Sequence, residues 1–416
     1  MKEDLLKDAM TPSERQAMVA LASIFALRMF GLFLILPVLT LMTHEISGAT
    51  PFLIGIGVGI YGLTQAALQI PFGWWSDKIG RHAVLTVGLV LFLVGSLVGV
   101  FSDSMWGIIV ARALQGAGAI AAVVMATAGD LIRPQHQSKA MAAIGMSIGL
   151  AFMLALVSGP VLLTLLELKG LFVLMAFSSL AALAILWLLV PTVDRPPSVE
   201  DRARPSLTLV SLLKRSELIR LDLGVFVLHF CLTALFLIVP LLLHQGHGLA
   251  VERHGYIYAG TILLSLFFML PTLIWVEKLW LLRQALLLGI GTLILAQLIL
   301  SLVAADTVWV VVLALVVFFY GFNLLEAMLP SLVSRYVSVE QKGLAMGIFS
   351  TSQFLGAFCG GIFGGLMFTH FAVEGVIFSC ILFLLAWFVA TWGMIPPTIQ
   401  PHSGVEKELA TLEQAD

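Results

Sequence analysis

The sequence predicts an all-α polytopic membrane protein with twelve transmembrane helices in two pseudo-symmetric six-helix bundles. Of its 416 residues, 60% are hydrophobic and only 11% are charged, which departs from the composition of soluble globular proteins. The apolar residues form runs of about 20 or more, the length that one helix needs to cross a bilayer. Backbone polar groups inside hydrocarbon must be satisfied locally, so these runs are expected to be helices. This composition excludes a soluble enzyme and a nucleic-acid-binding protein.

The twelve spans follow one another with short connections and one long polar interruption. The N-terminal bundle is predicted over 15–191 and the C-terminal bundle over 217–395, with a segment 1–14 before them and a tail 396–416 after them. A proline-rich and basic stretch over 192–216 is predicted to be the linker between the bundles. The spans are placed at 15–41, 51–76, 83–101, 106–131, 138–164, 170–191, 217–243, 253–276, 282–304, 307–334, 342–369 and 371–395.

The distribution of basic residues predicts the orientation. Of the 22 lysines and arginines, only Lys169 and Arg253 fall in loops on the side opposite the two termini. Loops rich in lysine and arginine stay in the cytoplasm, so both termini are expected to be cytoplasmic.

The two halves show weak self-similarity. Residues 70–78, which contain Pro71 and Asp77, match residues 270–278, which contain Pro271 and Glu277, at an offset of 200. Internal repeats are typical of transporters whose halves rock around a central site. Chance matching of apolar sequence is the alternative explanation.

Small residues recur at helical spacing in three spans. Such stripes allow two helix backbones to approach closely, which suits static packing and sliding interfaces equally. The stripes are formed by Gly55, Gly59 and Gly62 in the second span, Gly145 and Gly149 in the fifth, and Gly356, Gly360 and Gly364 in the eleventh.

The turn after the second span contains the most specific motif. It reads Gly73-Trp-Trp-Ser-Asp77-Lys78-Ile-Gly80-Arg81 and resembles the G-x-x-x-D-x-x-G-R loop of the major facilitator superfamily. Arg112-Ala-Leu-Gln115-Gly116-Ala-Gly118 resembles the fourth-helix motif of that family, and Ser158-Gly159-Pro160 resembles a shortened antiporter motif in its fifth helix. Within the family, the chain is most similar to YajR-type members of the drug:proton antiporter group, with the short tail 396–416 in place of a cytosolic domain. The resemblance implies the major facilitator fold and a bacterial inner membrane.

The loop predicts a conformational latch made of Gly73, Asp77, Gly80, Arg81 and Asp130. Gly73 allows a neighbouring helix to approach, and Gly80 allows a tight turn. Asp77 is suited to meet a helix N-terminus across the two halves, which the resemblance identifies as that of the eleventh span. Arg81 is expected to pair with Asp130, and the latch to break when the cytoplasmic side opens. A turn whose charges serve only to set topology is the alternative.

Ionisable residues within spans are costly in hydrocarbon and are therefore expected to face a cavity or a partner. The resemblance implies that the helices carrying them line a central cavity. The cavity candidates are Arg28, Tyr61, Gln65, Arg112, Gln115, Asn323, Glu326 and Gln353. Hydrogen bonding that only holds the helices together is the alternative for these residues.

Proton coupling requires a group whose protonation responds to its surroundings. Glu326 is the first candidate, followed by His229 and Asp130. Because the predicted cavity contains two arginines and one carboxylate, neutral, amphiphilic or weakly anionic cargo fits it at least as well as cationic drugs.

The predicted function is proton-coupled export of small amphiphilic or drug-like molecules by alternating access. A facilitator or symporter for a small metabolite and a non-transporting scaffold or sensor are the alternatives. The expected partners are a small-molecule substrate, protons and the lipid bilayer, and a monomer is expected. No enzymatic activity, cofactor, metal or nucleic-acid partner is predicted, and Gly145-Met-Ser147-Ile-Gly149 lies within a span rather than at a hydrolase elbow.

Overall fold

A computed structural model describes residues 9–192, 211–302, 307–338 and 341–395. Most of the predicted linker, residues 193–210, lies outside the described residues, as do 1–8 and the tail 396–416. Within the described ranges the regular structure is helical, apart from one isolated bridge between Ser47 and Ser104. The all-α prediction is confirmed.

Eleven helices follow one another in the described residues. They are α1 (Pro12–Leu34), α2 (Pro51–Ile79), α3 (Arg81–Val100), α4 (Met105–Ala117), α5 (Ala121–Leu131), α6 (Pro134–Leu189), α7 (Ser216–Leu241), α8 (Val251–Leu279), α9 (Leu282–Leu300), α10 (Val308–Arg335) and α11 (Lys342–Trp392).

These eleven helices form twelve spans. The helices α6 and α11 contain 56 and 51 residues, and at 1.5 Å per residue each is more than twice as long as the bilayer core of about 30 Å. Each is interrupted by non-helical backbone, at Glu167 in α6 and at Phe371 and Ala372 in α11. Each long helix is therefore a pair of spans, five with six and eleven with twelve. The helices α4 and α5 together make the fourth span, Met105–Leu131.

Local sequence explains where several helices begin. Thr11 caps α1 through a capping box with Glu14, and Thr50 and Ser104 accept hydrogen bonds from the first turns of α2 and α4. The helices α1, α2 and α6 have proline in the first turn, where the missing N–H is not needed.

We call the side of the molecule on which α1 begins and α2 ends the terminus side, and the side on which α1 ends and α2 begins the far side. The two bundles pack closely where α2 meets α11. A Cβ built on Gly55 would lie 3.1 Å from the Cα of Gly365, and one on Gly59 would lie 2.8 Å from the carbonyl oxygen of Phe358. These contacts lie in the far-side half of α2, where the glycine stripe of α2 brings its backbone close to that of α11. The predicted stripe of the eleventh span faces α7 instead, since Cβ atoms on Gly356 and Gly360 would meet the carbonyl oxygens of Phe226 and Phe230.

Towards the terminus side, α2 and α11 diverge. Residues 18 apart share one face of an α-helix because 18 residues make five turns. Gly73 therefore lies on the same face of α2 as Gly55, and Gly347 lies on the same face of α11 as Gly365. Among the described residues, nothing lies within 4 Å of a Cβ at Gly347, and the nearest atom to a Cβ at Gly73 is the Cβ of Ala122, 4.0 Å away in the same bundle.

The contact between α6 and α8 follows the same pattern. A Cβ on Gly255, near the far-side end of α8, would strike the carbonyl oxygen of Val157. Gly145 and Gly149, nearer the terminus side on α6, have no neighbour within 4 Å of a Cβ. The structure is therefore closed on the far side and open on the terminus side.

Candidate functional site

Three polar side chains from the C-terminal bundle converge on its inner face. The Nε2 atoms of Gln353 and His229 are 2.8 Å apart, and Gln353 Nε2 donates to Glu326 Oε1 at 3.3 Å. His229 Nε2 lies 3.8 Å from Glu326 Oε2. The side chain of Glu326 is 39% exposed and that of His229 is 9% exposed. These three residues form one cluster and come from α7, α10 and the first span of α11.

The hydrogen bonds determine which ring nitrogen of His229 carries a proton. His229 Nδ1 lies 3.1 Å from the carbonyl oxygen of Val225, which can only accept. The proton on Nδ1 leaves Nε2 free to accept from Gln353 while the ring is neutral. Glu326 Oε2 is buried and has no hydrogen-bond partner among the described residues. The cluster therefore has one acceptor available for a further proton.

An aromatic layer separates this cluster from the far side. Phe322, one turn before Glu326 on α10, stacks at 6.0 Å on Phe152 of the N-terminal bundle. Phe152 in turn meets the ring of Phe33 edge-on at 4.8 Å. Because Glu326 follows Phe322 on the same face of α10, it lies directly on the terminus-side of this contact. Its exposed surface therefore faces the gap between the bundles.

The polar candidates of the N-terminal bundle lie elsewhere. Arg28 and Arg112 are only 2% and 1% exposed, and Tyr61, Gln65 and Gln115 are fully buried. The expectation that these five side chains line an open cavity does not hold in this conformation. They lie inside the bundle because α1, α2 and α4 turn their polar stripes towards one another.

Two amide side chains and one aromatic ring contact the two buried arginines. Arg28 Nη2 donates to Gln65 Oε1 at 2.5 Å, and Arg112 Nη1 donates to Gln115 Oε1 at 3.0 Å. Both guanidinium groups lie over the ring of Tyr61, with Cζ 5.6 Å and 5.0 Å from its centroid. Cation–π contacts of this kind stabilise a desolvated guanidinium group.

Arg81, directly after Gly80, forms two ion pairs, of which the sequence predicted the one with Asp130 but not the one with Asp77. Arg81 Nη1 lies 2.6 Å from Asp77 Oδ1, and Arg81 Nε lies 2.8 Å from Asp130 Oδ2. The same Nη1 donates to Ser76 Oγ at 2.6 Å. Gly80 links α2 to α3 with φ of +96°, a conformation that favours glycine.

Asp77, Arg81 and Asp130 all belong to the N-terminal bundle, and the ion pairs that join them are present in the described conformation. In this conformation Gly73 has no contact with α11 within the described residues. The breaking of the latch when the cytoplasmic side opens stays a prediction. The C-terminal bundle has a related pair, in which Arg335 Nη2 lies 2.8 Å and 2.9 Å from the two carboxylate oxygens of Glu277.

The remaining candidates take structural positions. Asn323 Nδ2 donates to Ser265 Oγ of α8 at 3.1 Å, inside the C-terminal bundle. A Cβ on Gly159 would lie 3.1 Å from the carbonyl oxygen of Leu34, so this glycine allows α6 to pack on the end of α1. Pro160 follows it within α6. In the part of the chain that the structure describes, no three His, Cys, Asp or Glu side chains are placed to hold a metal ion.

Two acidic residues were missed by the sequence reasoning. Glu14 is buried at the start of α1 and accepts from Arg133 Nε and Nη2 at 2.8 Å and 2.9 Å. Its position in a capping box was visible in the sequence, but its distant partner was not. Asp222 lies in α7 beside Val333 and Ala345 and makes no ion pair within the described ranges. Its place within an apolar run was the signal that could have identified it.

Twelve spans in two bundles, open on one side and closed on the other, are typical of membrane transporters. The sequence profile of the Major Facilitator Superfamily matches residues 21–338 and, in a second match, 282–413. The chain therefore belongs to the Major Facilitator Superfamily.

Its curated relatives are membrane transporters. The chain is 39% identical over 388 residues to the inner membrane transport protein YajR of Escherichia coli, covering 93% of this chain and 85% of that protein. It is 36% identical over 377 residues to an uncharacterized transporter of Buchnera aphidicola from Schizaphis graminum, covering 90% of this chain and 96% of that protein.

Solved structures share the fold at low sequence identity. A bacterial homologue of the human lysosomal transporter Spinster, in an inward-facing and occupied conformation, superposes with a TM-score of 0.72 at 15% identity, covering 92% of this chain and 97% of that one. The human organic anion transporter MFSD10 superposes with a TM-score of 0.67 at 19% identity, covering 92% of this chain and 100% of that one.

Proposed function

We propose that this chain exports small amphiphilic or drug-like molecules across a bacterial inner membrane in exchange for protons. The proton-site cluster of His229, Gln353 and Glu326 carries the proposal. It joins a carboxylate, an imidazole and a neutral amide at the edge of the gap between the bundles. Both termini are placed in the cytoplasm on the basis of the charge distribution, so the terminus side is the cytoplasmic side.

The cluster provides two alternative hydrogen-bond arrangements. With His229 neutral, Nε2 accepts a hydrogen bond from Gln353. When Nε2 takes up a proton, it becomes a donor and can no longer accept from the amide. The nearest anionic acceptor is then Glu326 Oε2, 3.8 Å away. Protonation thus replaces a neutral contact between α7 and α11 with a charged one between α7 and α10.

This exchange of partners supplies the coupling. Protonation changes the contacts between three helices that border the gap, and cargo entering the gap meets Glu326 on its exposed surface. In the state open to the terminus side, the cluster releases its proton to the cytoplasm as cargo binds. In the state open to the far side, the cluster takes up a proton as cargo leaves. Proton and cargo are exchanged because the binding of either one at this cluster weakens the binding of the other.

The experiment uses the purified chain reconstituted in vesicles that contain a pH-sensitive dye. With a proton gradient imposed, cationic, neutral and anionic amphiphiles are screened for compounds that cause proton movement. We expect at least one class to release protons, and the release to be lost in Glu326→Gln. Glu252→Gln, which changes an exposed carboxylate at the start of α8, is the matched control and retains coupling.

Two results would contradict the proposal in different ways. Compounds that equilibrate across the membrane without moving protons would identify a facilitator. Full coupling in Glu326→Gln would remove this carboxylate from the proton path and direct attention to His229 and Asp130.

A further inference from the structure

We propose that the buried cluster of Arg28, Tyr61 and Arg112 is a binding site for a monovalent anion, either a halide or the carboxylate of an anionic cargo molecule. The cluster lies inside the N-terminal bundle, apart from the proton-site cluster. The possibility that the ligand is a cargo carboxylate rests on the proposed transport of small amphiphilic molecules. The binding of a halide is independent of that proposed function.

The cluster contains two positive charges and no negative one. Arginine remains charged in proteins, and both guanidinium groups are at least 98% buried. Their hydrogen-bond acceptors within the described residues are neutral, namely the side-chain oxygens of Gln65 and Gln115 and, at 3.4 Å from Arg112 Nη2, the carbonyl oxygen of Leu32. No carboxylate pairs with either arginine within the described residues. Buried charges are normally paired, because desolvation without a partner is costly.

Several donors in the same cluster have no acceptor among the residues that the structure describes. These are Nε and Nη1 of Arg28, Nε of Arg112 and the hydroxyl group of Tyr61, all of them buried. Buried donors are rarely left without partners in native proteins. Because both guanidinium groups flank the single ring of Tyr61, an anion beside this ring would accept from more than one of them. Charge and hydrogen-bonding capacity therefore point to the same class of ligand.

The chemistry of the donors selects the kind of anion. A guanidinium group presents parallel N–H donors that match the two oxygens of a carboxylate, and a halide accepts the same donors. One negative charge between two guanidinium groups removes their mutual repulsion. A cation is excluded because the cluster offers no anionic ligand within the described residues.

Polar side chains extend from the cluster along α2. Gln65, which accepts from Arg28, donates to Gln69 Oε1 at 2.8 Å, one turn further towards the terminus side. Both glutamines are buried, so their amides add neutral polar groups beside the two charges.

The test measures binding by thermal stability in detergent, because a ligand that binds only the folded state raises its melting temperature. Wild-type protein in a buffer of low ionic strength is titrated with potassium chloride or with potassium benzoate. Arg28→Gln and Arg112→Gln each remove one charge from the cluster, and Arg283→Gln removes an exposed charge as the matched control. Tyr61→Phe retains the ring and removes the hydroxyl group, which keeps the test valid if an arginine variant does not fold.

We expect the melting temperatures of wild type and Arg283→Gln to rise to the same plateau as the salt concentration increases. The melting temperatures of Arg28→Gln and Arg112→Gln are expected not to show this saturable rise. Tyr61→Phe should bind about tenfold more weakly, as expected for the loss of one hydrogen bond to a charged ligand. A melting temperature that rises with chloride but not with benzoate identifies a halide site. A rise with benzoate, together with movement of benzoate into vesicles, identifies the carboxylate of cargo.

An identical salt response in wild type, Arg112→Gln and Tyr61→Phe would overturn the proposal, since it would show only screening or buried water. Glu326→Gln separates this result from failure of proton coupling. It is expected to lose coupling and to keep the anion-dependent rise.

Discussion

Single alanines at Gly59 and Gly347 are expected to shift the conformational equilibrium in opposite directions. Gly59 lies where α2 and α11 touch, with Phe358 O only 2.8 Å from the place of a Cβ. Gly347 lies where the helices have separated, with nothing within 4 Å. On straight antiparallel helices, Gly347 and Gly73 would face each other five turns from the Gly55–Gly365 contact, about 27 Å away. Closure of the terminus side is expected to bring these two residues together.

The magnitude follows from the backbone contact at Gly59. The obstructing atoms are the carbonyl oxygen and, at 3.1 Å, the Cα of Phe358, which side-chain rotation cannot move. Overpacking of this kind costs about 1–3 kcal/mol, which corresponds to a change of roughly 5- to 150-fold in the ratio of the two states. Gly59→Ala therefore disfavours the state described here. Gly347→Ala has no steric cost in this state. It is expected to raise the free energy of the state closed on the terminus side by a similar amount, about 1–3 kcal/mol.

Pulsed electron spin resonance between spin labels measures the two populations. Labels at Lys78 and Lys342, both exposed at helix ends on the terminus side, report the separation of α2 and α11. The native cysteines Cys231, Cys359 and Cys380 are all free and are first replaced by serine. Gly59→Ala is expected to increase the short-distance population, and Gly347→Ala the long-distance one.

Gly291→Ala is the control, because this glycine of α9 also has no neighbour within 4 Å and lies away from the interface between the bundles. The reasoning would be refuted if Gly59→Ala left the distance distribution unchanged, or if Gly347→Ala increased the short-distance population.

Three further predictions concern acidic residues at the terminus side. Glu14→Gln should lower the melting temperature, because it leaves Arg133 with a weaker acceptor where α1 meets α6; a melting temperature equal to that of wild type would contradict this. Asp130→Asn should destabilise the protein by about 1 kcal/mol, as expected for a partly exposed ion pair with Arg81, and thermal unfolding of the double variant with Arg81→Gln should show the two effects to be non-additive. Asp222→Asn should keep or raise the melting temperature, because it neutralises a half-buried carboxylate without breaking a pair, and a clear loss of stability would show that Asp222 has a partner.

Several features of the site follow from local sequence. The one-residue connection at Gly80 and the spacing from Asp77 to Arg81 determine an ion pair within one turn, because side chains four residues apart meet on a helix or at its end. The spacing from Asn323 to Glu326 likewise places both on α10. The distant partners could not be obtained in this way. Arg133 for Glu14 and Gln353 for His229 depend on how whole helices pack.

Arg28 and Glu326 illustrate the limit of sequence reasoning. Each is an ionisable residue in an apolar run, and the sequence assigns both to the same cavity. In the structure Arg28 is enclosed by α1, α2 and α4, whereas Glu326 lies beside Phe322 at the open gap. The difference arises from the rotation of each helix about its axis, which tertiary contacts determine.

The sequence by itself determined the number and order of the spans, because each segment that crosses the hydrocarbon core must be long, apolar and helical on its own. The positions of the basic loops predict the orientation of the chain without reference to packing. Only the tertiary structure decided which side is open. The glycines of α2 and α11 recur on the same helix faces at both ends, so either end can close. The choice between them depends on the relative position of two bundles, a property that no single segment carries.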